Sequence, residues 1–199
     1  MCGRYHVETE EDNIQMREIM AELNRRRLSV KTGEIAPGAN APVLLMEDGE
    51  MHADAMRWGA RGVSGMVINA RSETALEKPM FRHSAVNRRL LLPMGGFYEW
   101  KHIAGGRRGT KYACRPAGGS LLYMAGLYLP TMDGMRFVVL TRQADEQISP
   151  LHDRMPLFID SAVGKDWLAG DMGAWQAALA AQPPALYIEP AEPEQLSFF

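Results

Sequence analysis

From Thr9 to Arg27 the apolar residues Met16, Ile19, Met20 and Leu23 recur at i, i+3, i+4 and i+7, the spacing of one helical face. Thr9 is the predicted N-cap, Glu10, Glu11 and Asp12 suit the first turn, and Arg25, Arg26 and Arg27 suit the carbonyl end of the helix dipole. From Pro42 to Leu140 the pattern changes. Short apolar runs, Val43 to Met46, Met66 to Ala70, Arg89 to Leu92, Ser120 to Tyr128 and Arg136 to Leu140, alternate with Gly and Pro. That punctuation predicts strands and hairpins closing into a curved, β-rich core. Short helices are expected after Arg71, where Ser72-Glu73-Thr74 opens a turn that Pro79 stops, and at Asp160 to Leu168 and Asp171 to Ala181. The class is α+β. One domain is expected over 1–182, and 183–199, rich in Pro and Glu, is expected to trail over the surface.

With 199 residues, 46% of them apolar, the chain is long enough for one sizeable core. A mean hydropathy of −0.23 and the lack of a spanning apolar run exclude a helical membrane protein. The N-terminal residues form no hydrophobic leader, so a cytoplasmic location is expected. Cys2 and Cys114 are too few for a disulfide framework, and the spacing of Cys and His gives no metal site; neither metal nor cofactor is expected. The net charge of −2 conceals a split. From Arg57 to Arg115 twelve Lys or Arg face three acids, a local +9, and the remainder carries −11. Such a block suits a nucleic acid, or is a solvated surface of dispersed charges.

Candidate chemistry starts at Cys2. Removal of Met1 leaves an amine and a thiol on adjacent carbons, with reference pKa values of roughly 7.7–8.0 and roughly 8.5, so a useful reactive fraction of each exists near neutrality. With an aldehyde the amine gives an imine, and the sulfur closes a five-membered thiazolidine; alternatively position 2 simply tolerates a small residue. Glu99, set in Gly95-Gly96-Phe97-Tyr98-Glu99-Trp100, is either a carboxyl with a raised pKa suited to proton transfer or a surface acid at a strand end. His152, in Leu151-His152-Asp153-Arg154-Met155-Pro156, is either an acid–base group or a histidine bonded to Asp153. Asn69, after an apolar strand, suits positioning an amine or holding a turn.

The order of Met1-Cys2-Gly3-Arg4-Tyr5, Ile35-Ala36-Pro37, Met56-Arg57-Trp58-Gly59, Asn69-Ala70-Arg71-Ser72-Glu73-Thr74, Arg88-Arg89 with Pro93, Gly96 to Lys101, Ala125-Gly126-Leu127 and His152 to Pro156 resembles the SOS response-associated peptidase (SRAP) family over residues 2–168. The resemblance implies a bifurcated, strongly curved sheet forming a pseudo-barrel with peripheral helices. It also implies a sensor of abasic sites in single-stranded DNA that captures the lesion covalently. Carried over, Cys2 is the crosslinking nucleophile, Asn69 holds the new N-terminus, and Glu99 and His152 handle protons at the sugar. Arg4, Arg71 and Arg154 would clasp phosphates, with Trp58 and Pro37 also on the DNA-binding wall. The thiazolidine would protect the strand from the lyase reaction open to the imine.

Two departures stand out. The family often reads Tyr-Asn-Ile-Ala-Pro-Thr where this chain has Gly33-Glu34-Ile35-Ala36-Pro37-Gly38, and residues 60–65 form a short loop without an aromatic. Altered DNA affinity with retained chemistry is expected. The competing functions are an N-terminal-nucleophile peptidase or hydrolase using Cys2, with self-catalysed removal of Met1, and a non-covalent DNA-binding module. The tail Gln195-Leu196-Ser197-Phe198-Phe199 is similar to peptides that dock on the bacterial sliding clamp, through Gln195, Leu196, Phe198 and Phe199, or it packs on its own domain.

Overall fold

Every residue from Arg89 to Met94 is buried, so this strand runs through the middle of the molecule. A computed structural model describes residues 2–9, 13–102 and 108–191. Strand β1 (Arg4–Val7) leads to helix α1 (Ile14–Arg25), then to β2 (Gly33–Ile35), β3 (Asn40–Glu47), β4 (Glu50–Trp58), β5 (Ala60–Gly62), β6 (Gly65–Val67) and β7 (Asn69–Arg71). Helix α2 (Arg82–Asn87) precedes β8 (Arg89–Met94), β9 (Gly96–His102), β10 (Arg108–Pro116), β11 (Leu122–Thr131), β12 (Gly134–Gln143), β13 (Arg154–Pro156) and β14 (Phe158–Ile159). A 3-10 turn at Ser161–Val163, α3 (Gly164–Leu168), α4 (Met172–Ala180) and β15 (Leu186–Pro190) follow.

Strands β12, β4, β3, β8 and β11 pair in that order, and β11 pairs back with β12, which closes a five-stranded barrel. Closure removes the exposed edges that an open sheet of these apolar strands would carry. The long strand β12 outruns the barrel. Along one edge it pairs in parallel first with β4, Phe137 opposite Trp58, and then with β7, Val139 opposite Asn69. Along the other edge β11 gives way to β13, with Gln143 opposite Arg154. This handover is the bifurcation that the family resemblance implies. A second sheet, ordered β15-β10-β9-β1-β2, packs against the barrel and carries Glu99 and the chain that follows Cys2.

Local chemistry accounts for the main departures from the sequence reading. Helix α1 begins at Ile14 rather than Thr9, because the Asn13 side chain accepts from the amides of Gln15 (2.8 Å) and Met16 (3.2 Å). The expected face is retained, with Met16, Ile19 and Leu23 buried and Met20 half-buried, whereas Glu10, Glu11 and Asp12 lie outside the described residues. The short helix expected after Arg71 is replaced by turns over 72–81. Ser72 bonds the Thr141 carbonyl through both its amide (2.9 Å) and its hydroxyl (3.0 Å), which commits it to β12 instead of to a helix cap. The run from Met66 to Ala70 is split at Ile68 into β6 and β7.

The expected helix over Asp171 to Ala181 is α4, capped by the Asp171 carboxylate on the Ala174 amide (2.8 Å). The expectation that the chain trails over the surface from 183 is corrected over Leu186–Pro190. Leu186 and Ile188 pack on the core, and the strand pairs with β10, where Arg115 and Glu189 form an ion pair. The clamp-like residues Gln195, Leu196, Phe198 and Phe199 lie outside the described residues. No described helix is long and apolar enough to cross a membrane.

Candidate functional site

The site lies where the second sheet meets the arm of β12 beyond the barrel. Antiparallel pairing of β1 with β9 sets Arg4 opposite Tyr98 and Tyr5 opposite Phe97, which brings the N-terminal residues beside Glu99. Side-chain alternation along β9 buries Phe97 and Glu99 and leaves Tyr98 and Trp100 half-buried on the other face. Cys2 is fully buried. Its thiol donates weakly to the Arg4 carbonyl (3.6 Å), and its own carbonyl accepts from the Asn69 side-chain amide (2.9 Å). The Asn69 Oδ1 atom is buried without a hydrogen-bond partner among the described residues. Asn69 reaches this point because it opens β7 on the register that β12 sets.

Electrostatics corrects the simple view of the aminothiol. Burial, reinforced by the Glu99 charge, pushes the Cys2 thiol far above its ordinary value, so the sulfur is a thiol and not a thiolate near neutrality. Cys114, also buried, is pushed up to about 12 by the same two causes. Burial likewise raises the Glu99 carboxyl, the direction expected of a proton-transfer group. His152 is lowered to about 4, chiefly by burial and further by the His102 and Arg154 charges, and is a neutral imidazole at pH 7. Its Nδ1 atom accepts from the Arg154 amide (2.9 Å) with the Asp153 carboxylate 2.6 Å away, so the neutral ring carries its proton on Nε2.

The structure thus brings Cys2, Asn69 and Glu99 together, and His152 joins them through His102. The His102 and His152 rings meet edge to face with centroids 4.4 Å apart, and His102 also interacts electrostatically with Glu99. Sequence reasoning missed His102 and Cys114. Neither carries a spacing signal, and the pairing of Cys114 with Phe97 exists only once the register of β9 and β10 is known.

The proposed DNA contacts divide. Arg71 is exposed on β7, two residues beyond Asn69, and is available to a phosphate. Pro37 is half-buried on a turn held by the Gly38 amide on the Trp58 carbonyl (2.8 Å). Arg4 is part-exposed but engaged with Glu34 at 3.2 Å. Two assignments are corrected. Trp58 is fully buried between Tyr5 (5.3 Å) and Phe137 (6.1 Å), with Nε1 donating to the Ile68 carbonyl, so it supports the wall from beneath instead of touching DNA. Arg154 is buried at 7% exposure and forms a two-pronged pair with Glu73, both contacts at 2.8 Å, while also donating to the Thr141 carbonyl (2.6 Å). The cationic block is correspondingly smaller than its formula. Arg89 lies buried over the Trp167 and Trp175 rings at 4.9 and 5.1 Å and bonds the Asp171 carbonyl (2.7 Å).

A closed barrel with a diverging arm thus carries a buried cysteine at position 2, held by the Asn69 amide and close to the Glu99 carboxyl. The chain belongs to the SOS response associated peptidase (SRAP) family, whose model matches residues 1–196. It is similar to the abasic site processing protein YoqW of Bacillus subtilis (strain 168), with 29% identity over 182 residues covering 84% of this chain and 80% of that protein. It is also similar to the abasic site processing protein YedK of Escherichia coli (strain K12), with 27% identity over 188 residues covering 89% and 84%. A solved protein from Bordetella bronchiseptica shares the fold with a TM-score of 0.75 at 21% identity, covering 96% of this chain and all of that one. A phage-related protein from the same organism gives 0.74 at 24% identity, covering 96% and 95%.

Proposed function

We propose that this protein recognises abasic sites in single-stranded DNA and captures them through Cys2 once Met1 is removed. The observation that carries the reading is the hydrogen bond from Asn69 to the Cys2 carbonyl, beside a buried carboxyl of raised pKa. The unpartnered Asn69 Oδ1 is suited to accept a proton of the new amine. The ring-opened sugar presents an aldehyde. Attack by the amine gives a carbinolamine, which loses water to form an imine, and Glu99 in its neutral form supplies the proton that lets the hydroxyl leave. The Cys2 sulfur then adds to the imine carbon and its proton passes to nitrogen, closing the thiazolidine without any oxidation or reduction. The amine is the first nucleophile because the imine it forms is the electrophile on which sulfur closes the ring. His152, neutral at pH 7, donates its Nε2 proton at the sugar and recovers it afterwards. The imine is also the point from which strand cleavage starts, so ring closure protects the strand.

The similarity to abasic site processing proteins favours capture over the peptidase alternative. On the same reading the protein acts on cytoplasmic DNA, and the terminal residues Gln195 to Phe199 tether it to the sliding clamp. Intact mass spectrometry after mixing the protein with an abasic single-stranded oligonucleotide tests the central claim. An adduct of protein minus Met1 plus oligonucleotide minus one water is expected. Cys2→Ala forming the same heat-stable adduct would overturn it, and Cys2→Ser should give only an imine trapped by borohydride.

A further inference from the structure

The five-stranded sheet carries a charge arrangement that the capture chemistry does not use. Glu34 on β2 presents one carboxylate oxygen to Arg4 Nε at 3.2 Å and the other to Lys111 Nζ. Arg4 is on the neighbouring strand, but Lys111 is on β10, and the sheet order places β9 and β1 between it and β2. The lysine therefore crosses the sheet face. On the way its ammonium lies 4.2 Å from the Tyr98 ring centroid and 5.7 Å from that of Trp100. One acid thus holds two cations, one of them Arg4, which opens the strand that begins two residues after Cys2, and keeps a lysine laid over two aromatic rings. Among the described residues near this face, His6 sits opposite Glu34 in the register of β1 and β2, and Arg115 is paired with Glu189 at the far edge.

Resting on the capture reading above, we propose that Glu34 sets the affinity for intact single-stranded DNA by acting as a built-in substitute for a backbone phosphate. A strand whose sugar reaches Cys2 must bring its phosphates past Arg4. Cations dominate the affinity of single strands, and aromatic faces add stacking. Glu34 neutralises the first and, through Lys111, covers the second. DNA gains this wall only by displacing the carboxylate, so undamaged strands are released quickly and only a site that reacts with Cys2 is retained. Selectivity then resides in bond formation and not in prior binding.

The test compares wild type with Glu34→Gln and Glu34→Asn, using a fluorescent oligothymidylate without a lesion, across a salt series. Both variants should bind about tenfold more tightly at low salt, and the slope of log affinity against log salt should steepen by about 0.7 for each phosphate contact released to Arg4 or Lys111. Adding Lys111→Met to Glu34→Gln should remove most of the gain. Affinity equal to or below wild type in both folded variants, as checked by thermal unfolding, would overturn the proposal and make Glu34 a purely structural anchor. Adduct formation by wild type with an abasic oligonucleotide is measured in parallel. Its absence would defeat the capture reading, whereas the lesion-free comparison reports on Glu34 alone.

Discussion

The side chain of Asn69 and the backbone of Cys2 are joined by a 2.9 Å hydrogen bond that spans 67 positions of sequence. The bond fixes the plane of the peptide that follows Cys2 and so restrains where the Cys2 nitrogen points in the proposed capture. Asn69→Ala should slow single-turnover adduct formation by about tenfold or more, while affinity for lesion-free DNA stays close to wild type. Asn69→Asp keeps an acceptor but loses the donor, and should be equally slow. Rapid-quench kinetics beside fluorescence titration separates the two effects; a parallel loss of affinity would indicate that Asn69 contacts DNA directly.

Glu99 and Arg71 should fail in opposite ways. Glu99→Gln retains shape but loses the proton, so the rate should fall by about a hundredfold or more with little change in binding. Arg71→Ala should weaken binding to all sequences alike and reduce the salt slope by about 0.7, with the adduct rate at saturation preserved. A salt series on both variants checks this.

Arg154 should behave as a structural residue. Its fork holds Glu73 below the usual carboxylate range: burial pushes that acid up, and the bonds from Arg154 and from the Gln143 amide outweigh it. Arg154→Met leaves Glu73 without that fork and should lower stability by about 1–2 kcal/mol, less than for a fully buried pair, because the Glu73 side chain is 43% exposed and keeps the Gln143 amide. Urea unfolding measures the loss. The remaining folded protein should bind lesion-free DNA as wild type does, unlike Arg71→Ala.

His152 imposes a direction on acid stability. Its folded pKa of about 4 lies below the reference value of 6.5, so the native state favours the neutral ring. The unfolded chain then binds the proton first, and the contribution is complete above pH 6.5 and is lost as pH falls toward 4. Wild type should therefore lose stability across that window, by at most about 3 kcal/mol from this group, whereas His152→Gln should show a flatter profile there. Thermal unfolding at a series of pH values reads the difference.

The elements and the chemistry were legible to different depths. Periodicity located the buried face of α1, because Met16, Ile19 and Leu23 repeat at helical spacing whatever the tertiary context. Its start was misplaced, since Thr9 and Asn13 both have capping side chains and only the tertiary course of the chain decides between them. Motif order pointed to Cys2, Asn69 and Glu99, which the fold brings together, and to His152, but it also placed the buried Trp58 and Arg154 on the DNA. A tryptophan and an arginine read alike whether they face solvent or a partner such as Glu73, and partners 81 residues apart become visible only in the folded chain. His102 escaped for the same reason, as its role rests on an encounter with a ring on another loop.

Strand β12 receives the same polypeptide twice along one edge, first as β4 ending at Trp58 and again as β7 starting at Asn69. The ten residues between form an excursion fastened at both ends to a common ruler. Gly59, in the left-handed region with φ of 99°, makes the exit, where a Cβ would collide with Met66. Because both anchor points are set by β12, the excursion is an exchangeable cassette: its length and tip chemistry are free to vary while Asn69 keeps its distance to Cys2. The short, aromatic-free tip in this chain can thus be exchanged without moving Asn69 relative to Cys2.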